Sequence, residues 1–499
     1  MDLDEAMSTH SVDVNVDNDG AMRSVGFYEH TAAPYVFPSF DFFQIDLYTD
    51  QDVETPCMIC GVSFNISRHR TNGEPPSAAW CSHAKAGIGE LPGSQSCAQP
   101  GCTSIPRNGP EPETRFISTR NLYSSRSEHV SGPNCTSINA YHGNRISAEA
   151  MRECNTYQCL LSRNETWEPQ ESELEDFEKQ GRFVLSGISG CMEPDYRSYS
   201  EVFPRRNNVR APETDYDDDG VSAMPVHPTC FEVFKRASIY RYGFADVEAL
   251  ARWGQGRNAL GMPIPEHAAV KRGREMYWRH HIGDEFLAAN PCFVPGLQDI
   301  LVSVQNTSNP DDSCSDEALS MAHSTDVFSK LPQEIKLEIL LRLDSWDIAN
   351  LRRSSRSFRH LPQSLFYHLT LRELPWLYEA WSSLPLSFFV TTTAAEQTEI
   401  GQTLVKTNDE ISSARLNDSG SEEDAAKIER LVRFANELQE KQKHRYTTPV
   451  GMLDRKNTNW TRLRGELTRR WGELPGLRNR RRIWNSCQEI MDRAEVIAR

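Results

Sequence analysis

The chain has 499 residues, a formal net charge of −16 and a mean hydropathy of −0.58. At about 150 residues per domain this is too long for one core, and the acidic balance argues against a general nucleic-acid surface, which must offset phosphate charge with Lys and Arg. Hydrophobic residues make up 38% of the chain, enough to fold most of it while leaving room for disordered tails and linkers.

The opening Met1-Asp2-Leu3-Asp4-Glu5 has neither the basic nor the apolar region of a secretory leader. No run approaches the ~20 apolar residues of a membrane helix; Leu384 to Val390 is among the most apolar stretches, and Pro385 interrupts it. The expectation is a soluble chain of the cytoplasm, the nucleus or both. Thirteen Cys, an odd count, are scattered without a disulfide-like framework, so the thiols read as buried groups or metal ligands.

In chain order, residues 1–45 read as a mostly disordered tail, with aromatic residues gathering from Tyr35 to Tyr48 at the edge of a folded unit. Residues 46–305 form a loop-rich, Cys-containing domain; Cys57, Cys60, Cys81, Cys97 and Cys102 fall among many Gly and Pro. Ser147-Ala148-Glu149-Ala150 reads as a capped helix start. The acidic stretches Glu168–Glu178 and Asp215–Asp219 read as a solvated face and a loop. His227-Pro228-Thr229-Cys230 leads into helical spacing from Phe231 to Arg236, and residues 306–324 read as a linker.

The most informative stretch is 325–372. Pro332 suits the first turn of a helix, where its missing N–H would be unpaired anyway. Ile335, Ile339 and Leu343 recur at four-residue steps, and Leu337, Leu340 and Leu341 widen the stripe beyond one face. One side can serve the protein's own core; the other needs a partner. Asp344 or Ser345 can cap a second helix carrying Asp347, Ile348 and Leu351, and a third fits Ser355 to Leu361, with Phe358 and Leu361 inward and Pro362 as its stop. Three short helices bury little area and depend on docking.

Leu331-Pro332-x-Glu334-Ile335, Ile339-Leu340, Leu343, Asp347-Ile348, Leu351 and Arg356-x-Phe358 resemble the F-box pattern in order and spacing. The pattern departs at Ser354-Ser355, where the family often has an apolar residue and Cys. The resemblance implies a three-helix module that packs on a Skp-type adaptor of a cullin–RING ubiquitin ligase. Leu331, Pro332, Glu334, Ile335, Ile339, Leu340, Leu343, Ile348, Leu351 and Phe358 would then supply the adaptor face or the module's core. More widely, Cys57-x-x-Cys60-Gly61, Arg70-Thr71, Glu74-Pro75 with Trp80, Glu128-His129-Val130-x-Gly132-Pro133-x-Cys135, Arg145-Ile146-Ser147-Ala148-Glu149 and His227-Pro228-x-Cys230-Phe231 are similar to large F-box proteins of filamentous fungi. That similarity brings no defined activity.

Cys57-Met58-Ile59-Cys60-Gly61 has the shape of a zinc knuckle, in which a tight turn lets two thiolates reach one tetrahedral ion. His227 and Cys230 at a helix start offer the second pair, across the long interval 61–226; Cys81 with His83 and Cys154 with Cys159 are alternatives, and plain buried Cys the simplest reading. His280-His281 on a helix would point about 100° apart and share no ligand face. Asp217-Asp218-Asp219 lacks calcium-loop spacing. No nucleophile elbow, Walker loop, dinucleotide fingerprint or His-Glu-x-x-His motif appears.

Residues 373–499 read as helical, with a flexible stretch near 405–422. Ile428, Leu431, Val432, Ala435 and Leu438 form one stripe, and Trp460, Leu463, Leu467 and Trp471 another. Arg478, Arg480, Arg481 and Arg482 form a basic cluster before Ile483-Trp484, for which the acidic whole favours internal pairing, or a surface for an acidic partner, over nucleic acid. The expected class is α+β, mainly helical. The expected role is a non-catalytic substrate receptor of an SCF-type ligase that docks a Skp-type adaptor, has zinc as a candidate cofactor and takes an unidentified protein substrate. The rival is a zinc-dependent binding protein or enzyme unrelated to ubiquitination, with an incidental helical hairpin.

Overall fold

The computed structural model describes residues 56–64, 66–79, 97, 99–106, 127–138, 140–163, 175–179, 181–189, 224–260, 267–275, 280–305, 326–416, 421–443 and 452–498. The expectations for 1–45, Cys81 with His83, Asp215–Asp219 and 306–324 lie outside the described residues. The fold is α+β and mainly helical, and the described residues divide into two compact units, 326–360, and 56–305 with 361–498.

The larger unit joins the Cys-containing region to the C-terminal helices. Its strands are short: β1 (Arg68–His69), β2 (Thr103–Pro106), β3 (Ser127–Val130), β4 (Tyr141–His142), β5 (Tyr157–Ser162), β6 (Phe183–Ser189) and β7 (Met224–Val226). They form a parallel β1–β4 pair, an antiparallel β2–β3 ribbon and an antiparallel sheet ordered β6-β5-β7. Every residue of β5 from Tyr157 to Leu161 is buried, so both faces of the central strand are covered.

Helices α1 (Pro228–Tyr242), α2 (Val247–Leu260), α3 (Ala268–Glu275) and α4 (Leu297–Ser303) follow. Pro228 opens α1, and Gly243 closes it with a left-handed φ of +84°. The segment at Ser147 is not the helix expected. Ser147 does cap, accepting from the Ala150 N–H, but Glu153 adopts φ +61° and the segment stays a run of turns. Of the stretch Glu168–Glu178, residues 168–174 lie outside the described residues; at its end Asp176 is exposed, whereas Glu178 is fully buried and accepts from the Leu185 N–H at 2.8 Å.

The C-terminal region does not stand apart as its own domain. Its last helix, which runs Pro475–Ile497, packs on α1 and α2, because its apolar side carries Leu477, Ile483, Trp484, Cys487, Ile490, Met491 and Ala494. The stretch expected to flex near 405–422 is helical as far as Leu416, within Ala394–Leu416. That helix pairs with Glu422–Lys443 through Leu404, Ile411 and Ala435. Among the described residues, no helix is long and apolar enough to cross a membrane.

The smaller unit contains a 3₁₀ turn at Val327–Lys330, helices α5 (Gln333–Leu341) and α6 (Ser345–Ser354), and a 3₁₀ turn at Arg356–Phe358. Asp344 is the cap of α6, its Oδ1 accepting from the Asp347 N–H at 2.7 Å. The third expected helix is only the single turn at Arg356–Phe358. Pro362 does not end it; it precedes α7 (Gln363–Glu373), which belongs to the larger unit.

Candidate functional site

Burial divides the residues of the smaller unit. Leu340, Ile348 and Phe358 are at most 2% exposed, so they are core and not available for contact. Phe358 packs edge-on against Phe328, centroids 5.2 Å apart. Leu331, Ile339, Leu343 and Leu351 are half-buried, and Pro332 and Glu334 are exposed. Ile335 is 47% exposed and Trp346 63%, with Val327 more open still. A Trp and an Ile are thus left exposed on consecutive short helices, α6 and α5. The sequence reading missed Trp346, although its place in the first turn of α6, ahead of the inward Ile348, marks it as outward.

In the larger unit, Cys57, Cys60, His227 and Cys230 come together although 167 positions separate Cys60 from His227. The Cys57–Gly61 turn closes through the Gly61 N–H to the Cys57 carbonyl at 2.8 Å, with Gly61 at φ +72°. The Val62 N–H reaches Cys60 Sγ at 3.5 Å, and the His227 N–H reaches Cys57 Sγ at 3.3 Å. His227 is the cap residue of α1, and Cys230 lies in its first turn. The structure thus brings His227 and Cys230 to the knuckle, and not Cys154 with Cys159; Cys154 donates to Asn155 Oδ1, and Cys159 is buried in β5.

All four ligand atoms lie within 4.8 Å of one another. Zn–S and Zn–N bonds of about 2.3 and 2.0–2.1 Å in a tetrahedron place S and N ~3.6 Å apart. Cys60 Sγ and Cys230 Sγ lie 3.5 and 3.7 Å from His227 Nδ1. His227 Nε2 is 3.0 Å from the Cys154 carbonyl, a bond that requires Nε2–H and leaves the Nδ1 lone pair facing the sulfurs. The donor set, its spacing and the orientation of the imidazole all fit a metal ion.

The electrostatics agree. Burial alone would depress the His227 imidazole, but the sulfurs of Cys57 and Cys60 outweigh it and lift it to about 10. Burial pushes Cys60 up, yet hydrogen bonds from the Cys230 and Cys57 thiols and the charge of His227 bring it well below its ordinary value. Burial and the neighbouring sulfurs push Cys230 well up. Without a metal, a Cys60 thiolate thus faces a protonated His227, and a bound metal ion would take the place of the Nδ1 proton. A second group, Cys97, Cys102, His129 and Cys135, also has its ligand atoms within 4.8 Å and could hold a metal ion.

The other candidates are structural. His280 and His281 are not on a helix; His280 is buried with Nε2 3.1 Å from Glu285, and His281 is exposed beside Asp284. Of the basic cluster, Arg480 is fully buried, its Nη1 2.9 Å from both oxygens of Glu379, and Arg482 is buried against Asn479 and the Cys60 carbonyl.

Compared with known proteins, the chain matches the family model of the F-box domain at residues 328–369. No curated protein and no solved structure matches it. The match spans the helical module and does not reach the Cys-containing region.

Proposed function

With an F-box domain at 328–369 as the premise, we propose that this protein is a non-catalytic substrate receptor of an SCF-type ubiquitin ligase, working in the cytoplasm or nucleus. F-box domains typically bind a Skp-type adaptor within cullin complexes. The observation that carries the reading is the solvent-exposed pair Ile335 and Trp346 on a module whose core is already occupied by Leu340, Ile348 and Phe358. Docking removes that apolar surface from water and holds the larger unit, with whatever substrate it binds, near the conjugating enzyme. Pro332, Glu334 and the half-buried Leu331, Ile339, Leu343 and Leu351 line the same module and extend the face.

Within this reading, Cys57, Cys60, His227 and Cys230 hold a structural zinc ion. A bound zinc joins the knuckle to the start of α1 and closes four positions with protein ligands, leaving none for chemistry. The arrangement favours a staple over an enzyme.

The test is co-purification with a Skp-type adaptor. The wild-type chain should bind, and Ile335→Asp and Trp346→Asp should each weaken binding at least about tenfold while the fold is retained. A folded wild-type chain that ignores the adaptor would sink the proposal, as would binding indifferent to both substitutions.

A further inference from the structure

The β2–β3 ribbon is anchored on one strand only: on β3, Val130 is fully buried and Glu128 pairs with Arg70 at 2.8 Å. Its register pairs Thr103 with Val130 and Ser104 with His129, but Thr103, Ser104 and Ile105 are all exposed. A two-stranded ribbon with one open face is marginal in water, and a small element lacking a core is commonly held by a disulfide or a metal.

Four potential ligands gather at the open end of this ribbon, where Thr103 pairs with Val130. Cys97 and Cys102 precede β2, His129 lies on β3, and Cys135 follows it. The Cys102 N–H bonds the Gln99 carbonyl at 3.2 Å, and Gly101 takes φ +90°, folding the Cys97–Cys102 segment into a tight turn. Gly132 crosses that turn backbone to backbone. A Cβ there would lie 2.4 Å from the Gly101 carbonyl carbon, so only glycine permits the approach. The crossing lets the Gly132 N–H donate to Cys102 Sγ at 3.3 Å.

Cys135 Sγ lies 4.0 Å from Cys97 Sγ and 3.3 Å from His129 Nε2. A tetrahedral zinc ion with three sulfurs and one nitrogen places these pairs ~3.8 and ~3.6 Å apart. Three thiolates with one imidazole in a tetrahedral array select zinc over the harder cations.

We propose that Cys97, Cys102, His129 and Cys135 bind a second zinc ion, which fastens the exposed strand β2 to the buried strand β3. Binding displaces the three thiol protons to solvent, and the imidazole ligates as the neutral base. The four ligands fall within the sequence interval between Cys60 and His227, so the two centres are nested, the inner one closing a loop of the outer. The inner centre shares no residue with the outer one and stands independently of it.

Cys97 and Cys102 are half-exposed, unlike the fully buried Cys57, Cys60 and Cys230, and this makes the test specific. The purified full-length chain is alkylated before and after treatment with a strong zinc chelator, and the modified cysteines are mapped by peptide mass spectrometry beside elemental analysis for zinc. Cys97 and Cys102 should resist alkylation in the metal-loaded protein and react once the chelator has removed zinc. Cys102→Ser should lower bound zinc by one equivalent per chain. Prompt alkylation of Cys97 and Cys102 in untreated protein would overturn the proposal, as would a disulfide between Cys97 and Cys135 or unchanged zinc in the Cys102→Ser chain. Because the alkylation arm uses the wild-type chain, misfolding of the variant leaves it decisive.

Discussion

Ser355 Oγ donates to Asp326 Oδ2 at 2.6 Å, and the same carboxylate oxygen accepts from the backbone N–H and the hydroxyl of Ser357 at 3.0 and 2.8 Å. Asp326 Oδ1 accepts from the Phe328 N–H at 3.0 Å, so one side chain caps the turn before α5 and ties it to the turn after α6. Ser355 is buried and needs an acceptor, which Asp326 provides.

These hydrogen bonds hold the Asp326 carboxyl well below the usual carboxylate range, against a small opposing effect of burial. A depressed folded value means the contribution is fully present above the unfolded value of about 3.9 and is lost as pH falls toward the folded one. Protection of the Phe328 and Ser357 amides, measured against their intrinsic exchange rates, should therefore fall as pH drops below about 4. Asp326→Ala should exchange fast at both sites at neutral pH and show no such acid step. An acid response unchanged in the variant would exclude this carboxylate as its source.

Ile335 and Leu340 stand on one helix and should respond oppositely. Leu340→Ala removes buried atoms and should cost ~2–5 kcal/mol in denaturant unfolding of the module. Ile335→Ala should leave stability within about 0.5 kcal/mol, since its side chain is largely in water, while weakening adaptor binding. Calorimetric titration with the adaptor, beside urea unfolding, separates the two effects.

Arg480 is fully buried with Glu379 as its carboxylate partner, and its guanidinium lies 4.1 Å from the centroid of the Tyr378 ring. Glu379→Gln leaves that charge in the interior without its partner and should cost ~3–5 kcal/mol by chemical denaturation. A change below about 1 kcal/mol would mean that solvent or the ring already compensates the charge.

Removal of zinc from the Cys57 centre should lower the melting temperature by on the order of 10 °C or more, because metal-binding energy is folding energy where the site forms only in the folded state. Circular dichroism with and without chelator measures the loss, and re-addition of zinc should restore it. Cys60→Ser should reproduce the part of that loss that belongs to this centre and leave the Cys97 centre loaded.

Local patterns were legible in the sequence because their physics is local. Leu331-Pro332-x-Glu334-Ile335 and the Asp344 cap are decided within a turn or two of helix, and the family match falls on them. Cys57 with Cys60 and His227 with Cys230 are each a three-residue step that one turn brings to one ion. His129 and Cys135 appear in the same sequence element as Gly132, yet their spacing from Cys97 and Cys102 is irregular, and no periodicity joins them.

What the tertiary structure alone decided are the relations across long sequence distance. It brought His227 to Cys60, chosen over Cys154 and Cys159, because β7 lays Pro225 against the Met58 N–H at 2.9 Å and delivers α1 to the knuckle. It buried Arg480 and Arg482, which the sequence leaves open between internal pairing and a basic surface, because the last helix packs into the larger unit's core. It also divided the F-box stripe, placing Leu340, Ile348 and Phe358 inside and Ile335 and Trp346 in water. Hydrophobic spacing states that a residue seeks burial, whereas the packing of neighbouring elements determines which residues achieve it within the chain and which are left for a partner.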